Sequence, residues 1–160
     1  MSDADRTELA ACAMRLLAAF PAASNDAELM SAAFAVQLER RLVAPIQVVA
    51  GTLTVEGQPV FDDRQGHVWV MIGPYIADIS IFRIAYSRFG PAALSRHVDL
   101  TFGPNKGLYV DPWHKSHRRG LGYEPRYVLS EEEVTRLMGG AYQLIESGLP
   151  KRAQDSLPAI

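Results

Sequence analysis

The amino-acid sequence predicts an α+β fold, a mostly antiparallel sheet packed against N-terminal helices and a C-terminal helix. Three observations carry that expectation. Apolar residues recur at helical spacing near both ends of the chain, and three β-branched or alternating runs separated by turn signals fill the middle. The helical patterns precede the strands instead of alternating with them, which disfavours a parallel sheet built from crossovers.

The first helix is expected from Asp5 to Phe20, with Leu9, Cys12, Leu16, Leu17 and Phe20 along one stripe and Pro21 ending it. A second should begin after Asn25, read as its N-cap with Glu28 completing a capping box, and bury Ala32, Ala35, Leu38 and Leu42. Pro45 stops that helix. Ile46 to Val55 reads as a strand, Glu56-Gly57-Gln58-Pro59 as a turn, and Asp62 to Gly66 as a polar stretch. Two short strands follow, His67 to Ile72 and Tyr75 to Ser80, around a Gly73-Pro74 turn in which glycine can take a positive φ. Phe82 to Phe89 should form a short helix closed by Gly90-Pro91.

From Pro91 to Tyr127, proline and glycine are frequent and polarity is mixed, so loops with one or two short strands are expected. The last helix should run from about Glu131 to Ser147. Ser130 and Glu133 form its capping box, Val134, Leu137, Met138, Ala141, Leu144 and Ile145 its apolar face, and Gly148-Leu149-Pro150 its end. The boundaries that follow are one domain over residues 1–150 and a loose tail over 151–160.

Bulk properties narrow the function classes. The chain has 160 residues, 48% hydrophobic and 21% charged, which is ordinary globular composition. A net charge of −2 gives no reason to expect nucleic acid as a partner. No apolar run is long enough to span a bilayer, and Met1-Ser2-Asp3-Ala4-Asp5 does not read as the start of a signal peptide. The lone cysteine, Cys12, cannot form an internal disulfide, which fits a reducing, cytoplasmic setting. No cofactor or metal is implied.

The central hairpin can carry chemistry. A turn at Gly73-Pro74 puts Ile72 opposite Tyr75, Met71 opposite Ile76, Val70 opposite Ala77 and Trp69 opposite Asp78. His67, Trp69 and Asp78 then share one face, with His67 and Asp78 as diagonal neighbours at about 7–8 Å between backbones. A carboxylate accepting from one ring nitrogen orients the imidazole and leaves the other nitrogen as a general base. The bland alternative is a solvent-facing pair of little consequence.

The segments Ala32-Ala33-Phe34-Ala35-Val36-Gln37-Leu38-Glu39-Arg40-Arg41-Leu42, Pro45-Ile46-Gln47-Val48-Val49-Ala50-Gly51, Gly66-His67-Val68-Trp69-Val70 and Tyr75-Ile76-Ala77-Asp78 resemble the core of the transglutaminase-like superfamily, which has a papain-like thiol hydrolase fold. The resemblance covers about a third of the chain, and His-x-Trp with Asp eleven residues after the His is its most specific part. It implies acyl transfer, meaning hydrolysis or transamidation of an amide or thioester, with His67 as base and Asp78 as orienter.

The superfamily carries its nucleophilic cysteine at the N-terminus of the helix before the first strand, near Glu28 here. This chain has Asn25-Asp26-Ala27-Glu28-Leu29-Met30-Ser31 there and no thiol. Cys12 is one replacement, folding back from the preceding helix, although its apolar stripe suits a buried, inert thiol. Ser31 or Glu28 in place of the thiol is a second. The plainest reading is a site that has lost its nucleophile and keeps a cleft for a peptide or small acyl ligand, with Trp69, Glu28 and Ser31 as binding candidates. A structural module that dimerises through its helices is a further class.

Elsewhere, Asp111-Pro112-Trp113-His114-Lys115-Ser116-His117 offers a His-x-x-His pair for zinc, against which Pro112 and the cations Lys115, Arg118 and Arg119 argue. An exposed basic loop, able to meet a phosphate or carboxylate together with Arg126, is the simpler reading. His97, on an expected strand, has no evident partner. Gly103-Pro104-Asn105-Lys106-Gly107 is a turn without a phosphate-loop pattern.

Overall fold

The structure, a computed structural model, describes residues 1–42, 44–61, 66–88, 90–104 and 106–148, without the side chains of 140–148. Helix α1 spans Asp3–Ala19 and begins two residues earlier than its apolar stripe implies. The reason is local: Ser2 and Asp5 form a reciprocal capping box, each side chain accepting from the other's backbone N–H. A 3-10 turn over Pro21–Ala23 leads to α2, Ala27–Glu39.

The cap of α2 differs from the sequence expectation. Asp26, not Asn25, is the N-cap, and its carboxylate accepts from the Leu29 N–H at 3.1 Å. The 3-10 turn accounts for the one-residue shift, because the Asp26 N–H donates to the Ala23 carbonyl and leaves Asp26 extended at the helix start. Glu28 stands exposed in the first turn, where its charge suits the helix dipole.

Strand β1 is Ile46–Val55, and after the Glu56-Gly57 turn β2, Gln58–Pro59, pairs back on it. Strands β3, His67–Ile72, and β4, Tyr75–Asp78, form the expected hairpin. Ile72 pairs with Tyr75, Met71 with Ile76 and Val70 with Ala77. Gly73 has φ +55 and is followed by proline, whose φ is necessarily negative, as a type II′ turn requires. The polar stretch at residues 62–65 lies outside the described residues.

Strand β4 ends at Asp78, two residues short of Ser80, because the Asp78 carboxylate takes the N–H groups of Ser80 and Ile81. That turn launches the short helix α3, Ile81–Tyr86. The helix stops at Tyr86, short of the expected Phe89, because Ser87 turns extended with φ −72 and ψ 154.

The second half is more regular than its composition implies. Ala92–Thr101 is a helix, α4, that buries Leu94 and Val98 one turn apart. His97 therefore lies on a helix and not on a strand, and it does have partners. Its Nε2 is 2.5 Å from the Arg119 carbonyl oxygen, and its Nδ1 is 3.6 Å from a Glu56 carboxylate oxygen. Strand β5, Tyr109–Pro112, a 3-10 helix over Trp113–Arg119 and strand β6, Leu121–Val128, precede α5, Glu131–Gly148. The Ser130 and Glu133 capping box forms as expected. The apolar positions Ala141, Leu144 and Ile145, the end of that helix at Leu149-Pro150 and the tail from Lys151 to Ile160 lie outside the described side chains or residues.

The strands form one sheet in which β1 pairs with β2, β3 and β6, β3 with β4, and β4 with β5, all antiparallel. This is the α+β arrangement with an antiparallel sheet. Strand alternation sorts the apolar side chains into two layers. Val48, Ala50, Val68, Val70, Ile72 and Ala77 meet α1 and α2 on one face, with Leu9, Cys12, Met30 and Phe34 buried against them. Val49, Leu53, Trp69, Ile76 and Tyr123 meet α3 and α4 on the other. Each fully buried Leu or Phe contributes about 1.5–3 kcal/mol, so both layers hold the sheet. Among the described residues, no helix is long and apolar enough to cross a membrane.

Candidate functional site

His67 opens β3 directly opposite Gly51 of β1, and Asp78 closes β4. Odd-numbered residues of β3 and even-numbered residues of β4 point to the α3/α4 face, which brings the two side chains together. His67 Nε2 lies 2.7 Å from Asp78 Oδ2. An ionised carboxylate can only accept, so Nε2–H is the donor, and the ring when neutral carries its lone pair at Nδ1.

Asp78 is held from several sides. Its Oδ2 also accepts from the Tyr123 hydroxyl at 2.9 Å, while Oδ1 accepts from the Ser80 N–H, the Ser80 hydroxyl and the Ile81 N–H at 3.1–3.2 Å. Burial by itself pushes the Asp78 pKa up, but the His67 charge and hydrogen bond, the Tyr123 hydroxyl and the Ser80 N–H outweigh it. The carboxyl therefore titrates below its usual value. Tyr123 moves the other way, well above its usual value, through burial first and then the nearby Asp78 charge. Its hydroxyl stays protonated and donating.

Aromatic rings enclose the imidazole. Phe61 stacks on it at 5.3 Å between centroids and 12° between planes, and Trp69 lies at 6.0 Å and 25°. Tyr123 meets Trp69 at 5.0 Å, close to edge-on. Trp69 shares a face with the pair, as the hairpin register implies, and packs beside it.

The solvent-facing alternative needs correction. The pair is not solvent-facing, since the His67 and Asp78 side chains are 1% and 0% exposed. A cavity of about 450 Å³ lies between the start of α1 and the β3–β4 turn, and another of about 400 Å³ between α2, β1 and α5, but neither touches His67 or Asp78. Phe61, Trp69 and Tyr123 pack around the imidazole.

The remaining candidates do not join the pair. Cys12 is buried among Leu9, Met30 and Val68 in the α1/α2 layer, on the opposite face of the sheet from His67. The sheet itself separates this thiol from the imidazole, so a displaced Cys12 nucleophile has no path to it. Burial raises the thiol pKa, and Arg15 and Arg41 oppose that only in part. An alkylating reagent is accordingly expected to label Cys12 slowly at neutral pH, equally slowly in His67→Ala, and rapidly once urea unfolds the chain. Ser31 is also buried on the α2 side and donates its hydroxyl to the Val68 carbonyl at 3.2 Å. Glu28 is exposed. His114 and His117 are exposed on the 3-10 helix, and no cluster of three or more His, Cys, Asp or Glu suited to a metal occurs among the described residues.

Sequence reasoning missed Tyr123, Ser80 and Phe61. The Asp-x-Ser spacing of Asp78 and Ser80 is the signature of a side-chain-capped turn and was legible. Tyr123 was not, because its place depends on β6 pairing with β1 across 68 residues of chain, Thr54 to Gly122. Compared with known proteins, the chain matches no family model, no curated protein and no solved structure.

Proposed function

We propose that this chain is a transglutaminase-like, cytoplasmic domain that binds a peptide or small acyl compound at His67 and has no thiol nucleophile there. The observation that carries this reading is the His67–Asp78 hydrogen bond of 2.7 Å, with Asp78 locked by four further donors. That arrangement fixes one tautomer and one ring orientation, as acid–base and recognition sites require. The placement of Cys12 across the sheet supports binding over thiol turnover. Half-buried Phe61 covers one face of the imidazole and is the side chain that an arriving ligand would displace.

The near-complete burial of the pair favours a second reading, in which the network is a structural clamp joining β3, β4, β6 and α3. Titrating the protein with N-acetylglutamine amide while following the His67 ring signals by NMR separates the two. Ligand binding predicts movement of those signals that saturates with the probe, with no hydrolysis of the probe. Signals that stay fixed would leave only the clamp. Hydrolysis that disappears in Cys12→Ala would instead restore the thiol enzyme.

A further inference from the structure

We propose that the 3-10 helix Trp113–Arg119 is a docking surface for single-stranded nucleic acid, with Trp113 stacking on a base and Lys115 and Arg118 meeting neighbouring phosphates. It acts whether or not His67 binds a ligand. A 3-10 helix has three residues per turn, so side chains three apart eclipse and its surface divides into three ridges. One ridge faces the protein. Ser116 is buried and donates its hydroxyl to the Trp113 carbonyl at 2.8 Å, and one turn on the Arg119 guanidinium lies over the Phe102 ring.

The other two ridges, His114 with His117 and Lys115 with Arg118, are exposed throughout and hold no acid. Among the described residues no carboxylate pairs with any of these four side chains. The nearest acids in sequence are engaged or turned away: Asp111 accepts from the Tyr109 hydroxyl at 2.9 Å, and Glu124 points to the opposite face of β6 from Tyr123. The net charge of −2 over the whole chain hides this local segregation of positive charge.

The helix is also held in place before any ligand arrives. The Trp113 N–H donates to the Pro74 carbonyl at 2.9 Å and its indole Nε1–H to the Tyr123 carbonyl at 2.8 Å. At the far end the Gly120 N–H donates to the His117 carbonyl at 3.0 Å, with Gly120 at φ +73. The indole is thereby fixed by its polar edge, yet Trp113 stays 46% exposed. An anchored aromatic ring beside basic side chains is how single strands are held, bases stacking on the ring and phosphates meeting the cations. Lys115 and Arg118 are three residues apart, about 6 Å along the helix axis, which suits successive phosphates of one strand. A duplex keeps its bases stacked on one another and an anionic membrane has none, so neither uses Trp113 in this way.

The test uses the full chain labelled with ¹⁵N and a short fluorescent oligouridylate, with anisotropy read over a range of salt. Binding is expected to shift the indole N–H signal of Trp113 and to leave that of the buried Trp69 in place. Each cation that meets a phosphate steepens the log–log salt dependence by about 0.7, so Lys115→Gln with Arg118→Gln should flatten it by about 1.4. That double variant should also weaken binding about tenfold at low salt, and Trp113→Ala by a similar factor. The wild-type indole shift reports the stacking contact even where Trp113→Ala folds poorly. Arg40→Gln, which removes an exposed cation at the end of α2, is the charge control and should leave binding within about twofold. No binding, or binding that the double variant weakens no more than Arg40→Gln does, overturns the proposal. Equal affinity for the same strand annealed to oligoadenylate, or a fixed Trp113 indole, overturns the stacking contact and with it the preference for single strands. Phosphatidylglycerol vesicles that bind where oligouridylate does not would assign the surface to a membrane instead.

Discussion

Replacing Asp78 with asparagine is expected to remove about 1–3 kcal/mol of stability at neutral pH, the usual cost of leaving a buried donor without its acceptor. The side chain keeps its size, so the loss is chemical. Asp78 accepts from His67 Nε2, the Tyr123 and Ser80 hydroxyls, and the N–H groups of Ser80 and Ile81. An asparagine brings an NH2 group into a site built of donors, which leaves at least one donor facing another donor in a buried space. Urea unfolding at pH 7 measures the difference, and a variant within about 0.5 kcal/mol of wild type would contradict the account.

The same residue sets an acid dependence whose sign follows from its shift. The folded pKa lies below the unfolded value of about 3.9, so the contribution is fully present above that pH. It is lost as pH falls from there through the folded pKa. Wild type and Asp78→Asn should therefore converge in stability on acidification below about pH 4, and a gap that holds constant through that window would count against the charged form of Asp78 as its source.

The second large effect is expected at Gly51. A Cβ there would be driven onto the Glu124 carbonyl oxygen of β6 and to within 2.7 Å of Trp69 Cη2. The obstacle on one side is backbone of a paired strand, which cannot swing away as a flexible side chain can. Gly51 also sits at a register shift, where Ala50 pairs with Tyr127 but Gly51 pairs with Pro125, so Arg126 is an extra residue on β6. Gly51→Ala should cost more than about 4 kcal/mol or prevent folding. Gly57→Ala is the control, since nothing lies within 4 Å of its added Cβ and only its φ of +81 opposes alanine. A cost of about 1–2 kcal/mol is expected there. Thermal melts of the two variants compare them directly, and equal losses would show that crowding at Gly51 is not decisive.

Much of the fold was legible because its signals are local. Ile46 to Val55 and His67 to Ile72 read as strands and are strands, and Gly73-Pro74 set the hairpin register that brings His67 to Asp78. Helix α4 was hidden because two buried residues, Leu94 and Val98, make a thin stripe among Pro91, Ser95, Arg96, His97 and Asp99. The cap of α2 moved by one residue because the preceding 3-10 turn, not the side chain of Asn25, sets where the helix begins.

The His67–Asp78 pairing belonged to the sequence by itself, since alternation along two strands and a short turn between them determine which side chains share a face. Tertiary structure decided everything that depends on distant chain. It placed Cys12 behind the sheet, brought Tyr123 from β6 to Asp78, and packed Phe61, Trp69 and Tyr123 around the imidazole. Which layer of a sheet a helix packs against, and which strand joins at its edge, are set by the packing of apolar surface across the whole chain, and a local pattern of residues does not encode that.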